Sequence, residues 1–326
     1  MITKKAFGLG ATLYTLSNGC GMQADVTDYG ATLVSLRVPG REKTVDAVLG
    51  YENAEGYRDG DNYLGATVSR YGNRIAESRF TLNGREYRVN ANEGRHCLHG
   101  GSDYHLRLWD TEIRGEKLVF RMVSPDGDFG FPGELKMQVT YWLDAENGLH
   151  LAYEVQSDRE TVCNLTNHTY FNLNGNRRDV LDHELYLNAE SYTQTDAELI
   201  PVGNVPVAGT EFDFRTPRKI GRAIYDHSFN LSGGGSAQAR LYDAESGVEM
   251  AMFTDRPAVQ VYDSVSLPVQ PGKHGTMHGI GAGIALETQV SPNALNRREC
   301  ETDRPLFTVS PERPWRSETV YRFSVR

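Results

Sequence analysis

The chain has 326 residues, long enough to bury a substantial core, with 34 Lys and Arg against 43 Asp and Glu and a formal net charge of -9. That balance disfavours a nucleic acid or an anionic membrane surface as the main partner, since either calls for a basic footprint. The acidic side chains are dispersed, and Cys20, Cys97, Cys163 and Cys300 form neither a C-x-x-C pair nor a metal-ligand spacing, so no acidic tail or disulfide framework is implied.

The opening stretch, MITKKAFGLGATLYTL, has two lysines but no apolar run of signal-peptide length. No later run approaches a membrane span, and the expected location is the cytoplasm. Strands are predicted at 31–38 (ATLVSLRV), 117–123 (KLVFRMV), 137–143 (MQVTYWL) and 149–156 (LHLAYEVQ). Between the last two lies DAENG, whose Asn147-Gly148 is a hairpin cue. The stretch LSGGGSAQ (231–238) reads as a surface loop, because no Lys-Ser/Thr and no helix start follow it. Further strands are predicted at 248–253 (VEMAMF) and 319–325 (TVYRFSV). No segment sustains a 3.6-residue period over three turns, so long helices are not expected. Many short strands, 33 glycines and 13 prolines indicate one all-β domain over 1–326, a large antiparallel sandwich or barrel.

Five polar clusters interrupt this background. RYGNRI (70–75) holds Asn73 and Arg74, which read either as turn residue and surface cation or as a site. GRHCLHGG (94–101) brings His96 and His99 beside a Gly-Gly that makes a turn or admits a close ligand. NLTNHTYFNL (164–173) sets His168 inside an apolar strand, as a buried structural histidine or the floor of a pocket. YDHSF (225–229) offers Asp226 and His227, and could be a loop with a self-satisfied aspartate. IALETQV (284–290) sets Glu287 in an apolar run, where burial would raise its pKa toward that of a general base. The alternative there is a strand whose polar face is Glu287 and Gln289. His274 and His278 have i, i+4 spacing, but their glycine-rich surroundings will not hold a zinc-binding helix. There is no Gly-x-Ser-x-Gly elbow, and strand alternation points Cys97 away from His96 and His99.

Taken together with DYGATLVSLRVP, GNRIAESRFTLNGREY, SPDGDFGFPGEL, AELIPVG, FDFR, VQVYDS, LETQVSPNALN and TVYRF, these clusters resemble the aldose 1-epimerase (galactose mutarotase) family over most of the chain. The resemblance implies a large antiparallel β-sandwich of the galactose mutarotase type and no metal or organic cofactor. It implies His168 as general acid and Glu287 as general base. Asn73, Arg74, His99, Asp226 and Gln260 would bind the sugar, a monosaccharide, in a monomer or homodimer. The chain departs from the family at His96 and Cys97, where an asparagine before the leucine is expected. It departs also at Phe129, at Asp263, where threonine is commoner, and in the glycine-rich loop 271–283. Interconverting anomers requires a base for the C1 hydroxyl proton and an acid for the ring oxygen, a task suited to a carboxylate and a histidine. A sugar-phosphate mutarotase would need a second basic cluster near these motifs, and none is readable. Sugar binding without catalysis would not need Glu287. Glycoside hydrolysis would need a second buried carboxylate.

Overall fold

The computed structural model describes every residue except Asp61 and Ala223. Alternating apolar residues build the central hairpin, Leu135–Leu143 against Gly148–Ser157. Met137, Val139, Tyr141 and Leu143 stand opposite Val155, Tyr153, Leu151 and Leu149, so both strands turn one apolar face to the core. Asn147-Gly148 is not the centre of a two-residue turn. Asn147 takes a left-handed φ of 58°, while Gly148 already pairs with Arg322 in the next strand. The Asp144 carboxylate closes a four-residue connection by accepting the N–H groups of Glu146 (3.0 Å) and Gly148 (2.6 Å).

This hairpin belongs to a nine-stranded sheet that also contains Lys117–Ser124, Trp315–Val325 and Val248–Thr254. A six-stranded sheet runs in the order Tyr170–Phe171, Ile284–Gln289, Ala258–Tyr262, Asp226–Leu231, Ala189–Thr195 and Pro201–Pro206. A third, five-stranded sheet is formed by residues 2–46. All named pairings within these sheets are antiparallel, and one continuous apolar core draws on all three. All the predicted strands are present, with ends moved by up to four residues, and the two α-helices described, Ala54–Gly60 and Arg304–Phe307, are short. No helix among the described residues is long and apolar enough to cross a membrane.

The 164–173 segment is not a single interrupted strand. Thr166–Asn167 pairs with Thr67–Val68, and Tyr170–Phe171 then joins the six-stranded sheet against Ile284 and Ala285. His168 lies where the chain changes partner, and every residue from 164 to 173 is buried, so no alternation of solvent and core faces was available to read.

The six-stranded sheet packs against Trp315–Val325. The Tyr321 hydroxyl donates to the Leu286 carbonyl (3.1 Å), the Thr288 and Thr319 hydroxyls meet at 2.7 Å, and Phe171 packs on the Tyr321 ring. Ile284, Leu286 and Thr288 therefore face the core, where fully burying a Leu or Phe contributes about 1.5–3 kcal/mol. Residues 285, 287 and 289 face the other way, as do Gln260 and Tyr262 beside core-facing Val259 and Val261. Glu287 and Gln289 thus do share a polar face, but it is buried under loops, not solvated.

The four cysteines are free. Cys97, Cys163 and Cys300 are buried, and burial pushes the first two thiols up to about 12. A thiol reagent added to native protein is expected to titrate Cys20 alone, with the other three appearing only on denaturation. Fast labelling of Cys97 would return it to consideration as a nucleophile.

Candidate active site

The loops that cover the outward face of the six-stranded sheet enclose a cavity of about 290 Å³. Asn73, Arg74, His99, His168, Asp226 and Glu287 all line it, although they are scattered over more than 200 positions of sequence. Gln260 does not line it. That side chain is buried behind Asp226, and its amide donates to Asp226 Oδ1 at 2.6 Å. Gln260 shares a cross-strand row with Ser228 and Glu287, two residue pairs below Asp226–Tyr262; Glu287 in that row reaches the cavity, whereas the Gln260 amide is turned onto Asp226.

Arg74–Ile75 pairs with Cys97–Leu98, which delivers Asn73 and His99 to the same spot. The Asn73 N–H donates to His99 Nδ1 and the His99 N–H to the Asn73 carbonyl, both at 3.2 Å. Asn73 and His99 hold left-handed φ values of 63° and 51°, a strained arrangement typical of sites that over-determine their geometry. Because Nδ1 of His99 accepts, the proton of the neutral ring lies on Nε2. Burial, followed by the neighbouring His168, Arg74 and His105, holds His99 well below the usual histidine range.

Glu287 is 2% exposed, and its Oε1 lies 3.6 Å from His168 Nε2. Burial pushes the Glu287 carboxyl up to about 8; the Asp226 charge adds to this and Arg74 opposes it. Burial pushes His168 down to about 4. The His168 ring stacks on Tyr170 (4.9 Å between centroids) and runs near parallel to Tyr63 at 6.2 Å. His99, His168 and Glu287 bring three donor atoms within 4.8 Å of one another, a set that invites a metal ion. It does not fit one: His99 Nδ1 is occupied by a donor, so Nε2 keeps its proton and has no lone pair to give.

Sequence reasoning missed Glu93, Tyr63 and Tyr262, all in the cavity wall. Glu93 grips Arg74 through two bonds, from Nε (2.6 Å) and Nη2 (2.8 Å). A lone glutamate in a polar loop has no periodicity to mark it, and nothing in a sequence announces that Tyr63 adopts a φ of 55°. The departures lie around the cavity, outside its wall. His96 accepts the Glu77 N–H, and Cys97 joins a separate apolar cluster. Phe129 packs on Tyr104 under Arg107. Asp263 accepts the Ile224 N–H at 2.8 Å and so braces the approach to Asp226. His274 is exposed beside Glu52 while His278 is buried against Tyr51, so the two do not converge.

A family model described as aldose 1-epimerase matches residues 12–322. The chain belongs to the aldose 1-epimerase family. This family member is 37% identical over 318 residues to galactose mutarotase of Rattus norvegicus, covering 93% of this chain and 92% of that one. It is 38% identical over 304 residues to aldose 1-epimerase of Haemophilus influenzae, with 88% of each chain covered. Among solved structures, a GalM/aldose epimerase homologue from C. elegans superposes with a TM-score of 0.90 at 28% identity, covering 97% of this chain and 99% of that one. The galactose 1-epimerase from Lactobacillus acidophilus gives 0.85, also at 28% identity, covering 100% and 98%. The all-β sandwich is thus the family fold.

Proposed function

We propose that this aldose 1-epimerase family member interconverts the α and β anomers of a free hexose, galactose or glucose, with Glu287 and His168 exchanging the protons. The observation that carries this reading is a buried carboxylate and imidazole, 3.6 Å apart, at the wall of a cavity near the small end of ligand-site volumes. In this reading residues 1–326 work as one cytoplasmic domain. Arg74, Asn73, His99 and Asp226 hold the hydroxyls that do not react.

Opening the ring requires a proton taken from O1–H and a proton given to the ring oxygen. Between about 4 and about 8 the pair keeps one proton, which burial of both groups holds on the carboxyl. In the opening step that proton is on His168, aimed at the ring oxygen, and Glu287 is the carboxylate facing O1–H. Their separation exceeds a hydrogen bond but closes with a small side-chain movement or a bridging sugar hydroxyl. The aldehyde turns about C1–C2 and closure reverses both transfers, so the pair ends as it began. The sugar-phosphate reading has less support: Arg74 is the one cation among the described residues of the wall, and Glu93 neutralises it.

Polarimetry on freshly dissolved α-D-galactose and α-D-glucose tests the reading. The protein is expected to hasten the drift to equilibrium with at least one of them, and a drift at the uncatalysed rate with both would sink the proposal. The pH profile of kcat/KM is expected to be a plateau between about 4 and about 8. Below it His168 takes a second proton and the base is lost; above it the pair loses its single proton. A rate still rising at pH 9 would contradict the one-proton pair.

A further inference from the structure

Arg74 has three nitrogens, and the fold assigns each of them. Nε and Nη2 go to the two oxygens of Glu93, a fork-to-fork pair that fixes the guanidinium plane. Nη1 is left turned toward Asp226, 3.9 Å from Oδ2. The pair is too close to admit an oxygen in line, but a sugar hydroxyl seated beside it, at the apex of a bent bridge, can accept from Nη1 and donate to the carboxylate. Asp226 is held from behind by Gln260, and Arg74 by Glu93.

Glu93 is itself held. Its carbonyl and N–H both bond the His96 backbone (2.9 and 3.1 Å), and the Asn92 side chain clamps both backbone groups of Leu98 (2.7 and 3.0 Å). The closed loop 92–98 runs directly into His99. One short segment therefore presents a pocket histidine and, from its other arm, the carboxylate that aims Arg74.

We infer that Glu93 is a positioning residue for sugar binding: it orients Arg74 toward the substrate, and its negative charge limits the pull of Arg74 on Glu287. The inference rests on the anomer-interconverting reading for its kinetic part and on geometry alone for its binding part. The titratable and charged groups around Glu287 are His168, His99 and Arg74 from the covering segments, Asp226 two strands along the same sheet, Tyr170 on the adjoining strand and Tyr321 from the core side. Among these Arg74 is the one fixed cation, so uncovering its charge favours the Glu287 carboxylate.

Two variants separate geometry from charge, with binding of 1-deoxygalactose, which has no anomeric hydroxyl and cannot open, measured by calorimetry beside polarimetry. Glu93→Ala frees Arg74, and the affinity for the 1-deoxy sugar is expected to fall about tenfold, with a matching rise in KM and a smaller change in kcat. Glu93→Gln keeps a partner for Arg74 without the charge. Its affinity is expected to stay within about threefold, while the alkaline limb of kcat/KM moves down by about half a pH unit or more. A merely structural glutamate would not move that limb. Folded Glu93→Ala binding like wild type, or Glu93→Gln with an unmoved or raised limb, overturns the inference; should the alanine variant not fold, the glutamine variant decides it. Wild type that binds the 1-deoxy sugar but does not mutarotate would instead remove the enzymatic reading, and the alanine binding result would still judge Glu93.

Discussion

Glu287→Gln is expected to lower kcat by about 10²–10⁴-fold while leaving the fold intact, because the amide fills the same space and cannot take a proton. The same substitution is expected to raise stability, increasingly so with pH. The folded protein raises Glu287 from 4.5 to about 8, so between those values it binds more protons there than the unfolded chain does. Stability is lost across that window as pH rises, at about 1.4 kcal/mol per pH unit from this group. Glutamine has no charge to bury and escapes the loss. Melting curves of wild type and variant should coincide near pH 4 and separate toward pH 8, then run parallel. A variant that turns over like wild type ends the base assignment, and one that melts lower at pH 8 ends the account of a destabilising buried carboxylate.

His168→Asn is expected to lose activity on a similar scale, about 10²–10⁴-fold, since the second half of the proton exchange is removed. The acidic limb near 4 should disappear from whatever activity remains, because the group that titrates there is gone. His168 is held below its ordinary 6.5, so its stability contribution is full above that value and is lost as pH falls toward 4. The variant should therefore be less sensitive to mild acid than wild type. Loss of cooperative melting in His168→Asn would mean that the ring's packing on Tyr170 is its main duty.

The frame of the fold was legible because its strands carry the alternation that half-buried strands require. Met137, Val139 and Tyr141 could be read as one face with no knowledge of what they pack on. The doubly buried segments could not be read this way: Thr166–Asn167 and Tyr170–Phe171 have no wet side, so the break at His168 left no periodic trace. Most of the candidate site came from short motifs, and the structure gathers six of those seven residues around one cavity. Gln260 was expected at the wall through the family resemblance alone; its amide is instead spent on Asp226, behind the cavity. Glu93 went unread because its meaning lies in two bonds to a residue nineteen positions away.

The Ile284–Gln289 strand gives its even and odd positions to different masters. Even-numbered side chains serve the packing of the two large sheets, and odd-numbered ones turn to the opposite face, where Glu287 reaches the cavity. Chemistry and folding are thereby interleaved at single-residue spacing and locked in phase. Sliding the strand by one position would bury the carboxylate in the core and offer leucine to the sugar, whereas a slide of two would preserve parity and spoil only alignment. Leu286 can change within apolar limits without touching the cavity wall, and Glu287 can change without touching the core. The two-residue repeat of the backbone lets one short strand answer to two separate constraints.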